Sequence, residues 1–151
     1  MAGPTPGREC ITAYNSGSFA SPTWTTLTKI VDLDWDIPAT WADVSSRSSL
    51  WRKEAKALQG FTVTFGYRRR QGVSDAVFTA LRGYAIATTK QELALADGVI
   101  ATTATQYLRG TFQFAIGRSE PLEDGCIENF EAHLAYEEDS GTERDPSWVV
   151  V

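Results

Sequence analysis

The sequence lacks the patterns by which most enzymes, membrane proteins and exported proteins are identified. It contains one histidine, His133, and no GxSxG, Walker or dinucleotide-binding glycine pattern, so we predict no catalytic residues. No apolar run approaches the length that crosses a bilayer. No basic stretch followed by an apolar one marks a secretory signal at the N-terminus. We therefore expect a protein that is not an enzyme, has no membrane partner and carries no leader.

Cysteine is scarce as well. Cys10 and Cys126 are far apart and form no CxxC pair. Without an export signal we expect both thiols to be reduced, with a disulfide between them as the alternative.

The chain has fewer positive than negative side chains. It contains 14 lysines and arginines and 19 aspartates and glutamates, which gives a net charge of −5. Ordinary nucleic-acid binding needs a basic surface that neutralises phosphate, so this composition disfavours it. The same charge is compatible with a protein that must prevent DNA from adhering.

What the chain does contain is enough apolar material for a core. Hydrophobic residues make up 42% and aromatic residues 11% of 151 residues. We predict a single domain over 1–151. Residues 1–8 carry two prolines and two glycines and are expected to form a flexible arm.

The clearest structural signal is a strand that runs into a helix. Four aromatic or β-branched residues alternate with other side chains from residue 61 to 67, which is typical of a strand with one buried face. Ser74 can cap a helix, and Asp75 favours its positive end. Apolar residues then recur at helical spacing. The residues in question are Phe61, Val63, Phe65 and Tyr67 on the strand and Val77, Phe78, Leu81, Tyr84 and Ala85 on the helix.

Further strands are predicted over 9–14, 24–36, 107–116 and 127–136, with a tight hairpin around Asp97-Gly98. The pattern over 127–136 places Tyr136 with the inward-facing residues and Asn129, Glu131 and His133 outside. There is no alternation of strands and helices, so a parallel sheet is not expected. The predicted fold class is mainly β, an antiparallel β-sandwich or barrel with one flanking α-helix.

Three aspartates on one strand invite a calcium interpretation. Asp32, Asp34 and Asp36 alternate with apolar residues and are expected on one solvated face. A calcium loop would need glycine and glutamate where this chain has Ile37 and Asp43, so we predict neither a metal nor a cofactor.

The segment 37–59 has neither a clear period nor a compact turn. Long connections of this kind are usually functional or disordered, and its tryptophans argue against disorder. One or two helical turns are expected over 51–58. An aromatic, arginine-bearing loop suits a protein contact, with Trp41, Asp43, Arg47 and Trp51 as candidates.

Two charged segments lie elsewhere. Arg68, Arg69 and Arg70 end the central strand, either as a solvated strand end or as partners for an acidic patch on a neighbouring copy. The C-terminal segment 137–151 begins acidic and turn-rich, and its apolar end can add a closing strand or dock as a tail.

In order, these features resemble the tail tube proteins, or major tail proteins, of long-tailed phages and gene-transfer-agent particles. The resemblance covers about 24 to 136, most of the chain. Its segments are 30–34, 42–51, 60–65, 75–81, 93–100 and 118–123.

The resemblance implies a β-sandwich with a side helix and six copies that join sheets edge to edge into a ring. Rings would stack into a tube in a virion tail assembled in the host cytoplasm, with other tail proteins at the tube ends. DNA would pass through the lumen without specific binding. The segment 37–59 would contact other subunits. From strand parity, the candidate lumen-lining residues are Asp32, Asp34, Asp36, Asn129 and Glu131, unless the orientation is reversed and they lie outside.

Two alternatives stay open. One is another particle component with the same fold, such as a tail terminator or the tube protein of an injection system. The other is a β-sandwich module that binds a small ligand or sugar on tryptophan platforms. Those platforms would be Trp24, Trp35, Trp41 and Trp51.

Overall fold

The structure is a computed structural model that describes residues 10–68, 72, 74–119 and 127–151. The predicted arm 1–8, Arg69, Arg70 and Cys126 lie outside these residues. Cys10 is an exposed free thiol. The elements in chain order are β1 (Ile11–Asn15), β2 (Trp24–Thr26), β3 (Ile30–Asp36), β4 (Ala39–Asp43), β5 (Glu54–Gln59), β6 (Thr62–Arg68), α1 (Ala76–Ile86), β7 (Gln91–Ala96), β8 (Gln106–Ser119), β9 (Ile127–Leu134), β10 (Glu138–Asp139), β11 (Thr142–Glu143) and β12 (Ser147–Val150).

The main sheet is antiparallel and has eight strands, in the order β2-β1-β7-β8-β9-β6-β3, with β12 also paired to β8. Strand β8 is 14 residues long and changes partners along its length. Its residues 107–112 pair with β7 and 106–109 with β12, whereas 112–119 pair with β9. The sheet therefore has two halves that share β8, and the pairs β4–β5 and β10–β11 stand apart from it.

Both halves of the sheet contribute side chains to one core. The alternating residues of β6 are buried as predicted, with Val63 0% and Tyr67 1% exposed. Phe65 stacks on Phe130 of β9, with ring centroids 5.2 Å apart, while Leu93 of β7 reaches the same core from the other half. The predicted fold class, antiparallel β with one helix among the described residues, is confirmed.

The helix α1 covers the core from one side, as its spacing predicted. Leu81 is fully buried and Phe78 nearly so, and Val77 and Tyr84 pack beside them. The helix begins one residue later than a Ser74 cap would require, because the side chain of Asp75 accepts the hydrogen bond from the backbone N–H of Phe78.

Asp75 holds together three separate elements. Its carboxylate accepts hydrogen bonds from the Phe78 N–H at 3.1 Å, the Tyr67 hydroxyl at 2.8 Å and the Lys29 ammonium at 3.0 Å. Burial alone would raise the pKa of Asp75, but the three donors outweigh it, so the pKa is lowered. Burial and the bond to Asp75 raise the pKa of Tyr67. The carboxylate thus ties β6 and the segment before β3 to the start of the helix.

Four local expectations differ from the structure. The stretch 24–36 forms two strands, β2 and β3, rather than one. Residues 51–58 contribute to strand β5 instead of helical turns. The turn around Asp97-Gly98 is longer than a tight hairpin, because β8 begins only at Gln106, where the Asp97 carboxylate accepts the backbone N–H at 2.9 Å. Tyr136 is 61% exposed, because β9 ends at Leu134 and Ala135 takes the next buried position.

The lowered pKa of Asp75 predicts a pH-dependent contribution to stability. Its folded pKa lies below the ordinary 3.8, so the ionised group stabilises the fold above that pH, and the contribution is lost as pH falls through the folded value. Asp75→Asn keeps a capping side chain but loses the charge. We expect it to lower the free energy of unfolding by about 1 to 3 kcal/mol at neutral pH. The difference from the wild type, measured by denaturant unfolding, should shrink below pH 3.8. A difference that is constant with pH would contradict this role.

Candidate functional site

The outer surface of one half of the sheet collects most of the predicted lumen-lining residues. Residues paired directly across antiparallel strands point to the same side of the sheet. Asp34 pairs with Thr64, which pairs with Glu131, and Asp36 pairs with Thr62, which pairs with His133. We call this surface the acidic face. Its residues are Val31, Asp34, Asp36, Thr62, Thr64, Gly66, Arg68, Gln113, Ala115, Gly117, Ile127, Asn129, Glu131 and His133.

A β-bulge in β3 corrects the strand parity assumed from the sequence. Asp32 has a φ of 51°, and the register with β6 shifts between Val31 and Asp34. The extra residue moves Val31 onto the acidic face, because its partner Gly66 alternates with Thr64. Asp32 therefore lies in the bulge and not in a regular row with Asp34 and Asp36.

The bulge borders a shallow hollow on the acidic face. The hollow has a volume of about 570 Å³, and its polar lining comes from Asp32, Thr64, Asn129 and Glu131. Gly66 forms part of its floor. A Cβ on Gly66 would lie 2.9 Å from methyl carbons of both Val31 and Ile127, so any larger residue would force these side chains to shift. The acidic face thus contains a shallow hollow whose lining includes the carboxylates of Asp32 and Glu131.

The chemistry of the acidic face is that of a solvated surface. His133 contacts Glu131 through Nε2 and Oε1 at 2.6 Å, and both side chains are more than half exposed. Within the described residues, no group of three or more His, Cys, Asp or Glu side chains is placed to hold a metal ion. The acidic face therefore presents negative charge and hydrogen-bond acceptors at the surface.

Two strand edges flank the acidic face. In the part of the chain that the structure describes, β3 pairs with β6 on one side and has no strand on the other. Residues 113–119 of β8 pair with β9, whereas the pairing of β8 with β7 stops at Phe112. Both edges therefore present backbone groups that a further strand could pair with.

The segment 37–59 forms an exposed antiparallel hairpin, β4–β5. It brings together four of the predicted contact residues, Trp41, Asp43, Arg47 and Trp51. Trp41 is 57% and Trp51 79% exposed. Hydrogen bonds from the Ser45 hydroxyl and backbone N–H lower the pKa of Asp43 and shape the turn beyond β4. Arg68 is exposed at the end of β6, where its pairing with Ile127 places it on the acidic face.

The four tryptophans considered as sugar platforms do not converge. Trp24 on β2 packs edge-on against Tyr107, and Trp35 on β3 stacks on Phe61. Trp41 and Trp51 lie on the hairpin. The ligand-binding alternative therefore has no single aromatic surface among these residues.

A buried polar cluster on the other half of the sheet was not predicted. Glu92 of β7 pairs with Arg109 of β8 and accepts a hydrogen bond from Asn15 at 2.9 Å. The guanidinium of Arg109 lies 4.1 Å from the ring centre of Phe19, and Arg144 lies at the same distance from that ring. Opposite charges on neighbouring strands are too common on surfaces for the sequence to reveal this cluster.

We compared the chain with known proteins. No protein-family model matches the sequence, and no curated protein is detectably similar in sequence. Solved structures do match. A chain in the tail of an empty gene transfer agent (GTA) particle with C6 symmetry superposes with a TM-score of 0.68 at 14% identity, covering 96% of this chain and 98% of that one. The SPP1 tail tube gives a TM-score of 0.69 at 11% identity over 87% of this chain and 76% of that one.

The chain has the tail tube fold. Two further structures agree with this assignment. A chain of the native GTA virion matches with a TM-score of 0.66 at 12% identity, covering 96% of this chain and 98% of that one. A chain of the anti-feeding prophage baseplate matches with a TM-score of 0.51 at 9% identity, covering 99% and 98%. The tail tube fold predicted from the order of sequence features is thereby confirmed. No helix in the described residues is long and apolar enough to span a membrane.

Gly66 provides a direct test of the acidic face. Gly66→Ala should destabilise the fold by about 1 to 3 kcal/mol, because the added methyl clashes with Val31 and Ile127. Gly117→Ala is the matched control on the same face, since a Cβ there meets open space among the described residues. Denaturant unfolding should show a change within about 0.5 kcal/mol for the control. Equal effects of the two substitutions would contradict the packing described.

Proposed function

We propose that this protein is a structural, non-enzymatic component of a virion tail that assembles from identical copies into a tube. The observation that carries the proposal is the match to a chain from a C6-symmetric particle tail over 96% of this chain and 98% of that one.

The two open strand edges suggest how a ring forms. In the proposed arrangement β3 of one copy pairs with residues 113–119 of β8 of the next, so that the strands β3, β6, β9 and β8 continue around a closed barrel. Closing the ring would cover these two edges, and exposed edges otherwise promote uncontrolled association. Six copies per ring accord with the C6 symmetry of the matching tail.

The acidic face would then line the lumen. Asp34, Asp36 and Glu131 lie on it, Asn129 adds a neutral polar group, and Asp32 borders its hollow. Six chains of −5 each carry about −30, and carboxylates in the wall repel phosphate. Salt screens charges over about 8 to 10 Å, so repulsion acts only near the wall itself. DNA would slide through without binding.

The match to a baseplate chain favours one second candidate. That candidate is an injection-system tube protein of the same fold, which would use the same edges, as would a tail terminator. Copy number in the particle separates the candidates, since a tube protein is abundant and a terminator forms a single ring.

Electron microscopy of the purified protein tests the proposal. At high concentration it should show rings with six-fold symmetry or tubes built from them, with or without an added initiator from the tail end. A protein that stays monomeric across protein and salt concentrations, with an initiator present, would contradict the proposal.

The lumen assignment has a test of its own. Asp34→Lys changes the charge by two units per chain on the acidic face, and Thr102→Lys combined with Thr103→Lys changes it equally in the connection between β7 and β8, where both threonines are exposed. Tubes of the Asp34 variant assembled with DNA should retain more DNA after nuclease digestion, because only DNA in the lumen is protected. Equal protection in both variants would place Asp34 outside the lumen.

A further inference from the structure

The charge of the hairpin differs in sign from that of the rest of the chain. Residues 39–59 contain four cations and two carboxylates, a net charge of +2, which leaves −7 for the other residues of a chain whose total is −5. Residues 137–145 contain five carboxylates and one arginine. A basic element and an acidic segment on one molecule can attract each other between copies.

The tip of the hairpin is an exposed apolar knob on an ordered loop. Leu50 is 103% and Trp51 79% exposed, and Arg47 and Arg52 flank them. The loop is closed by hydrogen bonds, from Val44 N–H to the Lys53 carbonyl at 2.9 Å and from Lys53 N–H to Ser45 Oγ at 2.8 Å. A preordered knob loses little entropy when it binds.

An apolar hollow lies at the opposite end of the same element, where the base of the hairpin meets the C-terminal segment. Its volume is about 380 Å³. Asp145 stands on its rim, and Glu143 lines the adjoining hollow together with Asp145. Trp148 on its wall is 63% exposed. The lining residues are Ile37, Gln59, Gly60, Phe61, Leu108, Leu134, Asp145, Pro146 and Trp148.

The knob of one copy cannot reach its own hollow. Residues 37–44 rise along the hairpin at about 3.3 Å per residue, so the tip stands roughly 20 Å from the base. A knob that fills the hollow therefore belongs to another copy. In the proposed tube the hollow on the acidic face would line the lumen, which leaves the hollow beside Trp148 for a contact between copies.

We propose that Leu50 and Trp51 of one copy insert into the hollow beside Trp148 of a second copy. Arg47 and Arg52 would then face Asp145 and Glu143 across the rim. The contact joins two different surfaces, so it can repeat head to tail from copy to copy. In the proposed tube it would connect copies in successive rings. The proposed contact specifies how copies of the tube protein bind one another. Its biological role rests on the proposed tube function.

Cysteine cross-linking tests the contact in the full-length chain. In a background with Cys10→Ser and Cys126→Ser, a Ser48→Cys protein is mixed with a Ser147→Cys protein under mild oxidation. Ser48 is at the tip and Ser147 precedes Trp148, and both are exposed. We expect a covalent heterodimer in larger yield than with Thr64→Cys, the control on the acidic face. Equal or larger yield with Thr64→Cys would overturn the proposal.

A charge exchange provides the second readout. Arg47→Glu should raise the protein concentration needed for association about tenfold, as expected for a close charge pair. Lys56→Glu, the same charge change on the arm of the hairpin, should have little effect. Adding Asp145→Arg to Arg47→Glu should restore association. Equal effects of Arg47→Glu and Lys56→Glu, or no rescue, would overturn the contact.

The two proposals fail in distinguishable ways. Tubes that form without the Ser48–Ser147 cross-link, and that still form with Trp51→Ala, leave the tube function standing and overturn the contact. A specific cross-link in a protein that forms no rings or tubes supports the contact and overturns the tube function.

Discussion

A sheet with open edges must satisfy the backbone groups along those edges, and this constraint shapes the whole molecule. Strand β8 satisfies its backbone groups within the chain by pairing with β7 and β12 over its first half and with β9 over its second. The core then fills the space between the two halves, and α1 covers one side, anchored by Asp75. The edges that this folding leaves unpaired in the described chain include the outer edge of β3 and the last residues of β8. Identical copies can complete both edges at once.

The proposed assembly would also explain why so much of the surface is either acidic or apolar. Carboxylates on the acidic face cost little while they are solvated, and they repel phosphate along a lumen wall. The exposed tryptophans and leucines of β4–β5 are costly on an isolated molecule but suit a surface that is covered by another copy. The basic hairpin and the acidic C-terminal segment are separate parts of one molecule. The proposed contact would therefore join the hairpin of one copy to the C-terminal segment of another.

Much of the fold could be predicted because the core strands follow simple rules. The alternation of Phe61, Val63, Phe65 and Tyr67 and the helical spacing around Leu81 depend on local sequence, and both were confirmed. The bulge at Asp32 could not be predicted, because it arises from the register between β3 and β6 and reverses the parity of residues on one side of it. The strands of the hairpin were missed for a related reason. β4 and β5 are exposed throughout almost their whole length, so no buried face imposes a period of two on their sequence.

Hydrogen–deuterium exchange of the dilute and the assembled protein is the most direct test of edge completion by identical copies. The account predicts that assembly slows amide exchange in β3, in residues 113–119 of β8 and at the tip of the β4–β5 hairpin. Exchange in the central strand β6, which already has a partner on each side, should change little. Unchanged exchange along β3 and β8 in protein that has demonstrably assembled would contradict the account.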